Sequence, residues 1–117
     1  MKLVDRKIPV HELKEMASKM YGDLVKAVVD IEKEIMSVDA ELHADEEKFL
    51  LENGSKQENL WGINLYPDTK GENFLEYDSM INLRPSQGNR SRGVDDEKIR
   101  ERIREVVHKL IENGIPA

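Results

Sequence analysis

Residues 24–43 read LVKAVVDIEKEIMSVDAELH, and the fold turns on whether they form one helix or two strands. Val25, Ala27, Val29 and Ile31 alternate with Lys26, Val28, Asp30 and Glu32. Met36, Val38, Ala40 and Leu42 alternate with Asp39, Glu41 and His43. A period of two sends successive side chains to opposite faces of a strand, and the β-branched content of the first run agrees with that period. Strands are therefore expected over Leu24–Glu32 and Glu34–His43. A tight turn near Lys33 would make them a hairpin, although no Gly or Asn marks it.

Upstream, Leu3, Val4 and Ile8 suggest a short edge strand within Met1–Ile8, ended by Pro9. Leu13, Met16, Ala17 and Met20 then form a helical stripe within Val10–Tyr21, and Gly22 is the expected left-handed cap. Downstream, Asp45–Glu52 reads as a short helix with Phe49 and Leu50 inward. Leu60–Tyr66 reads as a strand with Trp61, Ile63 and Leu65 on one side. The turn-rich stretch Pro67–Asn73 leads to a strand over Phe74–Arg84, closed by Pro85. Asp95 or Asp96 caps a last helix over Glu97–Glu112, with Ile99, Ile103, Val106, Val107 and Leu110 as its buried stripe. The sum is an α+β domain spanning residues 1–117: a mostly antiparallel sheet of four to five strands with helices packed on one face.

Composition narrows the function classes. A formal net charge of −6 argues against general nucleic-acid binding. The chain has no cysteine, which excludes disulfides and thiolate metal sites and suits a cytoplasmic setting. No apolar run approaches the ~20 residues of a membrane span, and MKLVDRKIPV lacks the apolar core of a signal peptide.

Sorting the strands by parity gives one apolar face (Val25, Val29, Ile31, Val38, Leu42, Trp61, Ile63, Ile81, Leu83) for helices to cover. The other face collects Lys26, Asp30, Glu32, Asp39, Glu41, His43, Asn64, Asn82 and Arg84. An antiparallel sheet tolerates one wet face, so this is either a solvated surface with cross-strand charge pairs or a polar cleft.

Two candidate sites lie there. The loop Arg84–Gly93, RPSQGNRSRG, carries Arg84, Arg90 and Arg92 with no acid. Guanidinium forks match phosphate and carboxylate oxygens, and Asn64, Asn82 and Asn89 would add amide contacts. The pattern lacks the Walker lysine, and Asp95, Asp96 and Glu97 already occupy the helix start that follows. The competing reading is a loop that salt-bridges the acidic sheet face and orders itself. The second candidate is Asp39, Glu41 and His43, spaced two apart on one predicted strand face, ~6.5–7 Å between neighbours. Imidazole and carboxylates in that spacing suit zinc, manganese or iron, or acid–base chemistry. D-x-E-x-H is no established metal signature, acids are dense in this stretch, and a charged solvated face is the preferred explanation.

VVDIEKEIM at Val28–Met36, DAELHADEE at Asp39–Glu47, ENGSKQENLWGINLYP at Glu52–Pro67 and SMINLRPSQGNRSRGV at Ser79–Val94 together resemble a family of small prokaryotic proteins classified only as a domain of unknown function. The resemblance covers almost the whole chain. It implies no activity, cofactor or catalytic residue.

The leading functional expectation is a cytoplasmic domain that binds an anionic small molecule, a nucleic-acid end or an acidic protein surface through Arg84, Arg90 and Arg92. The alternative is a small, metal-assisted hydrolase using His43, Glu41 and Asp39, with Arg84 as electrophilic clamp. A third reading is a homo-oligomer formed through the polar face or an open sheet edge.

Overall fold

The computed structural model describes residues 1–117. Five strands, β1 (Lys2–Val4), β2 (Val25–Asp30), β3 (Ile35–Val38), β4 (Leu60–Leu65) and β5 (Leu75–Glu76), form one sheet in the order β1-β3-β2-β4-β5. Every pairing is antiparallel. Three helices, α1 (Val10–Lys19), α2 (His43–Glu52) and α3 (Glu97–Leu110), complete the α+β fold. No helix is long and apolar enough to cross a membrane.

The β2–β3 hairpin forms as its periodicity requires, with Val29 opposite Met36 and Ala27 opposite Val38. Its turn is built without Gly or Asn. The buried Asp30 carboxylate accepts from the N–H groups of Glu32 and Lys33, both at 2.9 Å. Its other oxygen accepts from Ser55 Oγ at 2.6 Å. Glu34 then takes the left-handed conformation, at φ 58°, which closes the turn at some backbone cost. Glu34 also pairs with Lys109 and Arg102, which ties the turn to α3.

α1 and α3 cover the face of the sheet carrying Val25, Ala27, Val29, Met36, Val38, Trp61, Ile63 and Leu65. Leu13, Ala17, Ile103, Val106, Val107 and Leu110 pack there in one core. Ile8 bonds Leu110 O and Glu112 N, so the segment ahead of α1 is clasped to the end of α3. The expected placement of helices on one face holds for these two. α2 lies on the opposite face, where Leu50 packs with Val28 and Leu60, flanked by Phe49, Ile35 and Ile81. Val28 is the reason: it is an apolar residue on the predicted polar face of β2 and has no exposed surface, so it needs a lid.

Two strands stop far short of their expected ends. β3 ends at Val38 because Asp39 turns left-handed, at φ 64°. The D-x-E-x-H run is consequently not a strand face: Asp39 to Leu42 form a bend, and His43 is the first residue of α2. The predicted strand over Phe74–Arg84 survives only as Leu75–Glu76, followed by a 3-10 turn at Met80–Asn82. Of the residues assigned to the apolar face, Leu42 and Leu83 are exposed and Ile81 packs on the α2 side.

Asp30→Ala removes three hydrogen bonds from one turn and leaves the buried Ser55 hydroxyl without its acceptor. The variant is expected to lose about 2–3 kcal/mol in urea unfolding, whereas Asp30→Asn, which keeps an acceptor oxygen, loses less.

Candidate functional site

The segment after β5 docks on β4 through a side chain rather than a strand. Asn82, fully buried, accepts from Gly62 N–H and donates to Gly62 O, both at 2.9 Å, as a paired strand residue would. Gly62 has to be glycine, since a Cβ there would lie 2.5 Å from the Ser79 Cβ. Asn82 also donates to Arg92 O at 2.9 Å, and Ser79 N–H reaches the same carbonyl at 2.9 Å.

The arginine loop is knitted around a second buried amide. Asn89 Nδ2 donates to the carbonyls of Asn82, Ser91 and Gly93, and its Oδ1 accepts from Asp95 N–H. Arg84 and Asn89 exchange backbone hydrogen bonds, and Gly88 supplies the left-handed residue between them. The Asp95 carboxylate accepts from Ser91 Oγ and Arg90 N–H, and these bonds hold it below the ordinary carboxylate range. Asp96 caps α3 by accepting from Lys98 N–H. The acids after the loop are thus spent on the loop and on the helix start.

The three arginines have separate environments. Arg84 donates to Gln57 O and Leu60 O, both at 2.6 Å, and lies over the Trp61 ring at 4.1 Å. Burial pulls its pKa down, and the neighbouring Glu47 opposes that. Arg84 therefore clamps the segment before β4. Arg92 donates through Nε to Asp78 at 2.8 Å. Arg90 is exposed and bonds only through its backbone N–H.

Arg92 brings the loop to the α2 face of the sheet. His43 is buried there, with Nε2 donating to Ile63 O at 2.7 Å. A carbonyl only accepts, so the proton sits on Nε2 and Nδ1 carries the lone pair. Burial lowers the His43 pKa and keeps the ring neutral, and the charges acting on it are Lys26, Asp78 and Arg92. Asn64, also buried, donates to Glu76 at 2.9 Å and to Asp78 O at 3.4 Å. Its Oδ1 has no partner. Lys26 stands opposite Asn64 across β2 and β4, over the Tyr21 ring.

Of the residues singled out in the sequence, the structure gathers His43, Asn64 and Arg92. It places Asn82, Asn89 and Arg84 in the supporting framework. Asp39 and Glu41 line a groove beside α2, away from the inward-turned His43. No three His, Asp or Glu side chains converge closely enough to hold a metal ion. Asp78 and Glu46 were missed. Asp78 shares the parity of Asn82 and Arg84 in the sequence, but the strand ends at Glu76 and its pairing with Arg92 appears only in the fold.

Glu46 lies one turn after His43 and is completely buried under α2. One oxygen accepts from Ala40 N–H at 3.3 Å, and the other has no partner. Burial pushes its pKa up from 4.5 to about 10, and the Ala40 N–H and the Lys26 charge offset that only in part. The folded chain therefore keeps a proton that the unfolded chain releases above pH 4.5. Glu46's contribution to stability is complete below that pH and is lost as pH rises toward 10. Glu46→Gln is expected to flatten this slope in pH-dependent urea melts and to raise stability at pH 8 by about 1–3 kcal/mol.

Searches of curated proteins and of solved structures return no match to the chain. A family model described as "Protein of unknown function (DUF5674)" matches residues 2–110. With its sheet, its three helices and its arginine loop all inside that span, the chain belongs to the DUF5674 family.

Proposed function

We propose that this chain is a binding protein for a small anionic group of phosphate or carboxylate chemistry. Arg92 is the principal contact, Arg90 and Lys26 add positive charge, and Asn64 and His43 form the floor. Arg84, Asn82 and Asn89 act by holding the loop in place. One observation carries the reading: Asp78 engages Arg92 through Nε alone, which aligns the guanidinium while leaving its two terminal nitrogens for a bidentate contact. Arg90, exposed and without a carboxylate partner, flanks it.

The test is thermal unfolding in inorganic phosphate or citrate against chloride at matched ionic strength. A site occupied at 100 times its Kd adds about 2.7 kcal/mol, so the wild type is expected to melt later in the multivalent anion. The double variant Arg90→Ala, Arg92→Ala should keep its fold and lose that shift. A wild type that responds equally to chloride, or a double variant that retains the shift, refutes the reading.

A second reading rests on His43. Its tautomer is fixed by Ile63 O and its ring is neutral, which is the state a general base requires. On this reading the chain hydrolyses an activated ester, with Arg92 at the developing anion. His43→Gln is then expected to lower turnover of p-nitrophenyl phosphate or acetate by about 10²–10⁴. Absence of turnover in the wild type, or its persistence in the variant, removes this reading.

A further inference from the structure

A groove of about 470 Å³ runs between the end of α1, the Asp39–Leu42 bend and the outer side of α2. It is separate from the anion site proposed above. Met1, Met20 and Phe49 form its apolar lining. Met1 is 57% exposed and Met20 43% exposed, and Leu42 in the bend is 52% exposed. Apolar exposure gathered at one end of a small protein marks an interaction surface more often than scattered exposure does. Methionine suits such a surface because its unbranched, polarizable side chain adapts to different partners.

The charged side chains of the lining are mainly acidic. Asp39, Glu41, Asp45 and Glu52 stand against Lys48 alone. None of these five charges takes part in an ion pair within the chain. Carboxylates around an apolar floor, left without internal partners, complement a cationic amphipathic segment.

The walls are fixed before anything binds. Tyr21 donates its hydroxyl to Glu41 O, tying the end of α1 to the bend. Glu46 accepts from Ala40 N–H and ties the bend to α2. A preformed groove spares the ordering cost of association.

We propose that this groove docks a basic amphipathic peptide segment of a partner protein, with leucine-like anchors on Met20 and Phe49 and lysines or arginines against Asp39, Glu41, Asp45 and Glu52. The probe is a labelled amphipathic helix of leucine and lysine, compared by fluorescence anisotropy with its leucine–glutamate counterpart. The wild type should bind the basic peptide and not the acidic one, with amide shifts centred on Met20, Leu42 and Phe49. Met20→Glu should weaken binding at least about tenfold, and Asp45→Lys with Glu52→Lys should weaken it and flatten its salt dependence. Met80→Glu, a change at an exposed methionine outside the groove, should leave affinity unchanged. Equal binding of the acidic peptide, equal loss in Met20→Glu and Met80→Glu, or shifts centred elsewhere would overturn the proposal. So would a dimer in sedimentation that Met20→Glu dissolves, since the groove would then be covered by a second copy.

Discussion

Gly62 has no side chain, and its two backbone hydrogen-bonding groups meet the amide of Asn82 instead of another strand. Much of the second half of the chain depends on that substitution. A buried backbone N–H and C=O must be paired, and one amide supplies both partners without the chain having to run straight. The segment from Ser79 can therefore fold into a 3-10 turn against β4 and still satisfy it. Asn82 and Ser79 both hold Arg92 O, so the loop position follows from the same contact. Asn89 repeats the device one turn later with four hydrogen bonds.

The sheet is covered unequally. One face carries a broad apolar core under α1 and α3. The other has a small apolar cluster under α2 and, beside it, buried His43, Glu46, Ser37 and Asn64. Ser37 Oγ, one oxygen of Glu46 and Asn64 Oδ1 lack partners there. Burying polar atoms unpaired costs free energy that an apolar interface would avoid. That makes the α2 face the costlier one to hold closed, and the functional candidates gather along it.

Charge is segregated around α2. Arg90 and Arg92 present cations at the loop, and the groove on the outer side of the helix is acidic. Arg84, the most buried of the loop arginines, bonds carbonyls rather than carboxylates. Of the three, only Arg92 meets a carboxylate, Asp78. The loop is ordered by amides and turns far more than by salt bridges to the sheet.

Periodicity alone determined β2, β4, α1, α3 and the hairpin, because each buries one continuous apolar face and that face dictates alternation in the sequence. The break of β3 at Asp39, the dissolution of the Phe74–Arg84 strand and the placing of α2 on the second face were decided only in three dimensions. Asp39 and Glu34 adopt positive φ because their neighbours hold them there. Ser79, Ile81 and Leu83 alternate with Met80, Asn82 and Arg84 as a strand would, yet Asn82 finds Gly62 and outcompetes the ladder. Arg84, Arg90 and Arg92 look equivalent in sequence, and Trp61, solvent and Asp78 make them a clamp, a free cation and an aligned fork. The physical reason is common to all of these. Apolar burial leaves a repeating trace along the chain, whereas a side chain that hydrogen-bonds a distant backbone group leaves none until the fold brings the two together.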